Sequence, residues 1–158
     1  MAKKLSSFDQ EPQAETLFNY FNEISIISQL SAAMFEKALP LGLTNAQFSV
    51  LNWFLRVDSE ATPGRLATAF QVTAGAMTNT LQKLATKQLI KVEPDPLSGR
   101  KKRVTITEKG RQQLEQAIMS TMPLFAELSQ QLDAAKVDGQ LPLLREIRET
   151  LDEMRYKK

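Results

Sequence analysis

The chain has 158 residues with no Cys and no His, which excludes disulfides, thiol chemistry, Cys/His zinc sites and the commonest general base. A hydrophobic share of 42% and a charged share of 24% are ordinary for a globular protein, and no apolar run is long enough for a bilayer, so a cytoplasmic, nucleoid-associated setting is expected. The net charge of +2 hides an asymmetry: between Lys83 and Arg111 nine Lys or Arg face three acids, giving +6 there and −4 elsewhere, the mark of an anionic partner at one end.

Residues 1–11 are polar and read as a flexible tail. Leu17, Phe21, Ile24, Ile27, Leu30 and Met34 recur at steps of three and four, predicting one face of a long helix from Pro12 to Leu39. Pro40-Leu-Gly-Leu breaks it. Thr44-Asn-Ala-Gln47 matches a capping box, with Gln47 reaching back to the cap. The helix it opens is expected to bury Phe48, Leu51, Trp53 or Phe54, and Leu55, and to end near Arg56.

Thr62-Pro63 is a second start signal, for a short helix with Leu66, Ala67 and Phe70 on its apolar side. After a tight turn at Gln71-Val72, Thr73 caps a third helix, Ala74 to about Lys87, burying Met77, Leu81 and Leu84. Two helices joined this way form a helix-turn-helix. Ile90-Lys-Val-Glu and Val104-Thr-Ile106 alternate as half-buried strands, while Pro94, Pro96 and Gly99 between them predict an irregular hairpin tip. Thr107 caps a long helix through Leu114, Ile118, Met122, Phe125, Leu128 and Leu132, with Pro123 inside it. A last helix is expected after Asp138-Gly139, carrying Leu144, Ile147, Leu151 and Met154.

The fold class that follows is mainly α with a small β-hairpin wing (α+β): a winged helix-turn-helix over 41–106, flanked by a helical dimerisation region over 12–40 and 107–158. The first and the last two helices carry apolar stripes broader than a winged domain of that size covers. A two-fold dimer would bury them and space two reading helices about 34 Å apart; packing within one chain is the alternative.

Burial of Met77, Leu81 and Leu84 leaves Ala74, Gly75, Ala76, Thr78, Asn79 and Gln82 off the core side, with Lys83 close by. Small residues and free amides at a helix N-terminus admit a phosphate backbone, and Thr73 can both cap the helix and contact phosphate. Asn79 and Gln82 have the donor-acceptor pair that reads adenine, and Thr78 suits a thymine methyl. An ordinary solvated polar face has the same composition. Arg100, Lys101 and Lys102, with Arg103, place cations on the wing, where they serve phosphate or minor-groove contacts or merely keep a strand edge in solvent. Double-stranded DNA is thus the expected partner, and a winged-helix protein-interaction module or a non-specific nucleoid-type binder is the alternative. No acid-base constellation or phosphate loop points to an enzyme, and no catalytic residue, cofactor or metal site is expected.

Leu43-Thr-x-x-Gln-Phe, Leu66-Ala67, Val72 to Leu84, and Asp95-Pro-x-Ser-Gly-Arg-Lys-Lys-Arg-Val-Thr-Ile-Thr-Glu-Lys-Gly110 resemble the MarR (multiple antibiotic resistance regulator) family of bacterial transcription regulators. The resemblance implies a homodimeric regulator, in most cases a repressor, on a pseudo-palindromic operator, released by a small and often aromatic ligand. It implies that Arg100 enters the minor groove and that the helix after Thr73 reads the major groove. Phe35, Phe48, Trp53 and Met119 are candidate walls of an effector pocket, although such residues also build cores. Two positions depart from the family pattern. Ser98 replaces an Asp that holds the wing arginine, leaving Arg100 less fixed or held by Asp95. Gln88 stands where glycine is usual, at a cost of about 1 kcal/mol if the left-handed helix end is kept.

Overall fold

The structure, a computed structural model, describes residues 12–155; the expected tail over 1–11 lies outside them. Six helices and three strands follow in the order α1 (Pro12–Ala38), α2 (Asn45–Arg56), β1 (Glu60–Ala61), α3 (Pro63–Phe70), α4 (Ala74–Thr86), β2 (Ile90–Asp95), β3 (Ser98–Ile106), α5 (Glu108–Gln131) and α6 (Ala134–Met154). A short 3-10 turn, Pro40–Gly42, separates α1 from α2. The chain divides into two compact units, Met1–Ser120 and Thr121–Lys158.

Local chemistry sets the helix starts in the first unit. Thr44, Thr62 and Thr73 each sit in extended backbone and accept, through the side-chain hydroxyl, the amide N–H three residues on: Gln47, Arg65 and Ala76. The capping box at Thr44 is only half formed. Gln47 is buried, and its Oε1 accepts instead from Lys87 Nζ at 2.8 Å. Helices α3 and α4 end alike, with a glutamine in the left-handed region, Gln71 at φ 53° and Gln88 at φ 61°. The amides of Val72 and Leu89 then reach back to the carbonyls of Ala67 and Leu84, taking up orphaned acceptors in the manner of a Schellman turn.

The core of this unit joins Val50, Leu51 and Phe54 of α2, Leu66 and Ala67 of α3, and Met77, Leu81 and Leu84 of α4 to Val104 and Ile106 of β3. Leu55, expected inside, is 57% exposed; Val50 takes that place, because the buried face of α2 runs through 47, 50, 51 and 54. Leu114 and Ala117 of α5 are buried in the same core, so the unit extends past residue 106.

The sheet has the order β1-β3-β2, all antiparallel. Strand β1, absent from the sequence reading, pairs Glu60 with Thr105 and Ala61 with Val104. The hairpin is more regular than expected: β2 continues through Pro94 and β3 begins at Ser98, leaving only Pro96 and Leu97 as the turn. Proline is tolerated because β2 is an edge strand, and its missing N–H coincides with a register break. Pro94 pairs with Lys102 but Asp95 with Ser98, so Gly99, Arg100 and Lys101 are unpaired between them. The cations therefore sit on and beside a strand, where the sequence suggested a protruding turn.

In the second unit α6 begins at Ala134, capped by Asp133, and continues through Asp138-Gly139 and Pro142. The break expected at Asp138-Gly139 is absent; a capped helix start five residues earlier carries the chain across it. No residue of α6 is buried, and Leu143, Leu144, Leu151 and Met154 are exposed. The same holds for α1 in the first unit, where Leu17, Phe18, Ile27 and Leu30 face solvent. Among the described residues no helix is long and apolar enough to cross a membrane.

Candidate nucleic-acid interface

Helix α4 presents its face in the order the sequence suggested. Met77, Leu81 and Leu84 are buried, and Thr73, Ala74, Gly75, Ala76, Thr78, Asn79, Gln82 and Lys83 are all exposed. The Thr73 hydroxyl accepts from the Ala76 amide at 3.1 Å and keeps its own proton for a further acceptor. Gly75 has open space where a side chain would be, so a ligand's backbone could approach α4 closely there.

The wing brings the cations to the same place. A groove of about 400 Å³ lies between α4 and the hairpin, lined by Thr78, Gln82, Arg100, Lys101 and Lys102 among others. Leu81, Ala85, Val92, Pro63 and Pro94 supply its apolar lining. These apolar lining residues were not singled out as site residues. Only the juxtaposition of helix and hairpin reveals them, since none carries a polar signal in the sequence.

Three of the nine cations in the basic segment serve the fold. Arg103 Nη1 pairs with Glu60 Oε2 at 3.4 Å, tying β3 to β1. Lys87 Nζ is held by Gln47 and by the Gly42 carbonyl at 3.0 Å, and Lys109 Nζ donates to Gln88 Oε1. Arg100, Lys101 and Lys102 are exposed and form no salt bridge among the described residues, so their charge is available to an anion. Asp95 does not hold Arg100: its Oδ1 accepts from the Leu97 amide at 2.9 Å. Beside the site, the Arg65 guanidinium hydrogen-bonds Asp58 at 2.6 Å, holding that carboxyl below its ordinary range, and stacks 5.1 Å from the Trp53 ring.

The candidate effector residues are not gathered in this groove. Phe48 and Trp53 are half-buried against the core from α2, Phe35 is half-buried on α1, and Met119 is 68% exposed on α5. Among the described residues no cluster of His, Cys, Asp or Glu is arranged to hold a metal.

Comparison with known proteins agrees with this geometry. The sequence model of the MarR family matches residues 41–101, which span α2 to the first half of β3. The chain is similar to a mutant of Escherichia coli MarR solved with operator DNA, with 28% identity and a TM-score of 0.70 over 84% of this chain and 95% of that one. It is also similar to the transcriptional regulator BldR of Sulfolobus solfataricus, with 26% identity and a TM-score of 0.74 over 91% of this chain and 99% of that one. No curated protein sequence matches. Residues 41–101, which hold the helix-turn-helix and the first part of the wing, thus match the MarR family model, and the chain has the winged helix-turn-helix fold of solved MarR family transcriptional regulators.

Proposed function

We propose that the protein is a sequence-specific, operator-binding regulator that works as a homodimer on a pseudo-palindromic site. The observation that carries this reading is the groove shared by α4 and the wing. Exposed Thr78 and Gln82 line it from α4, and Arg100, Lys101 and Lys102, which form no salt bridge among the described residues, line it from the hairpin. The polar face suits base edges in the major groove, and the cations suit phosphates or the adjacent minor groove. In this reading Thr73, Ala74, Gly75 and Ala76 approach the backbone, Asn79 reads a base, and Lys83 contacts phosphate. The relative solved with operator DNA supports the assignment.

Dimerisation is supported by the uncovered apolar residues of α1 and, separately, of α6, which in water call for a partner surface. A dimer bound at a promoter blocks access to it, so repression is the simplest output. Release by a small aromatic ligand completes the proposal, supported by the half-buried rings of Phe48 and Trp53. Trp53 is the chain's single tryptophan, so quenching of its fluorescence by a panel of aromatic carboxylates tests that step.

The decisive experiment is selection from a random duplex library at two salt concentrations, followed by sequencing. The expected result is an enriched palindrome whose affinity falls steeply with salt. Weak binding without enrichment would instead indicate a nucleoid-type binder. No binding would favour a protein partner for the winged domain.

A further inference from the structure

We infer that Leu97, at the tip of the hairpin, is an apolar minor-groove contact that seats the wing on DNA. The inference rests on the DNA-binding reading above and deepens it by adding a contact of a different chemical kind from Arg100, Lys101 and Lys102. Leu97 is 96% exposed, more than any other large hydrophobic residue described. Most other exposed apolar groups lie along α1, α5 and α6, and the rest, such as Leu55, Val57 and Val92, are far less exposed than Leu97, which stands on a two-residue turn. A solitary surface leucine carries no meaning by itself. Its setting supplies the meaning.

The turn is rigidly prepared. Asp95 stands at its first position and Pro96 at its second, the residues that favour a type I turn. The Asp95 carboxylate accepts the Leu97 N–H at 2.9 Å, and the strands close on either side through the Asp95–Ser98 pair. Neither Pro96 nor Leu97 has a positive φ, unlike the usual two-residue hairpin turns, and the register break next to them absorbs the mismatch in twist. The leucine is thus presented with little backbone entropy left to lose on binding. A tip meant only for solvent is better served by Ser, Asn or Gly.

Charge identifies the occupant. Three to five residues along the chain stand Arg100, Lys101 and Lys102, exposed and without a salt bridge among the described residues; one carboxylate, Glu93, lines the groove with them, and Asp95 is turned to the Leu97 amide. Such a cationic strand draws the tip to a phosphate backbone. The minor groove offers, between its phosphate rims, sugar C–H surface and base steps against which Leu and similar side chains wedge.

The test compares operator affinity across a salt series for the wild-type full chain, Leu97→Ala, Leu97→Met and Arg100→Ala. Leu97→Ala should weaken binding by about tenfold, the effect of uncovering part of a leucine side chain. Its salt slope should stay unchanged, because an apolar group releases no counterion. Leu97→Met should bind nearly as wild type. Arg100→Ala should weaken binding and flatten the slope by about 0.9. Thermal midpoints of the Leu97 variants should match wild type, since a tip residue this exposed supports no packing. Wild-type binding with an identical Leu97→Ala overturns the inference and leaves the DNA reading intact. So does a Leu97→Ala slope that falls as that of Arg100→Ala does, since the leucine would then act only through the cations. A wild-type chain with no salt-sensitive binding to any duplex overturns the DNA reading itself.

Discussion

Lys87, which closes α4, donates from Nζ to Oε1 of Gln47, and so ties the end of that helix to a buried amide forty residues earlier. The same ammonium holds the Gly42 carbonyl, leaving one proton for solvent. The link fixes the end of α4 to the start of α2. Lys87→Met keeps the aliphatic stem but leaves Gln47 Oε1 buried without its donor, and should cost about 1–3 kcal/mol in urea unfolding. Combining it with Gln47→Leu should recover part of the loss, because no polar group is then left unsatisfied. A strictly additive double mutant would show that the pair is not coupled.

Gly110 is constrained by close approach to its neighbours. A Cβ there would overlap the Leu89 carbonyl oxygen and lie 2.8 Å from Ile106 Cγ1. That carbonyl already accepts the Thr107 amide at 3.0 Å, and the Thr107 hydroxyl both donates to the Gln88 carbonyl and accepts from the Gly110 amide. The first turn of α5 is thereby clamped onto the exit of α4, and backbone must move to admit a methyl group. Gly110→Ala should destabilise by about 2 kcal/mol or more, read as a lowered thermal midpoint.

Signals that are local in the chain were legible in the sequence. Thr44, Thr62 and Thr73 announced helix starts because each cap needs only its own next three residues, and the spacing of Met77, Leu81 and Leu84 gave the buried face of α4. What depends on distant pairing was not. Two-residue β1 exists only because β3 offers it Val104 and Thr105, and β2 runs through Pro94 because β3 supports one side of it. Gln47 looked like a capping partner until Lys87 arrived from the far end of α4. The exposed polar face of α4 could be listed residue by residue, but the groove needed the hairpin folded against it.

Gln88 shows a departure from the family pattern with a physical price. It holds φ 61°, a conformation open to glycine without steric penalty, and its side chain gains only an exposed 3.3 Å contact with Lys109. Gln88→Gly should therefore stabilise the fold by about 0.5–1 kcal/mol, raising the urea midpoint. Gln71, at φ 53°, is a useful control. Its Nε2 donates to the Thr68 carbonyl at 2.7 Å, so glycine there loses a hydrogen bond and should gain less. Equal gains at both sites would mean that the side-chain contacts contribute nothing.

Asn79 and Lys83 lie one helical turn apart on the exposed surface of α4, and under the DNA reading they answer to different parts of the duplex. An amide side chain aligned with an adenine contributes about 1–3 kcal/mol of discrimination at one base pair. An ammonium on a phosphate contributes the same to every sequence and leaves its trace in the salt slope. Asn79→Ala should therefore flatten the preference at one symmetric pair of operator positions while leaving the salt slope unchanged. Lys83→Ala should weaken all duplexes alike and reduce the slope by about 0.9. Both side chains are exposed, so neither change should lower the thermal midpoint appreciably. Repeating the library selection with each variant separates the two roles: uniform weakening by Asn79→Ala would make it a positioning contact, and the base reading would then pass to Gln82, the amide that lines the groove.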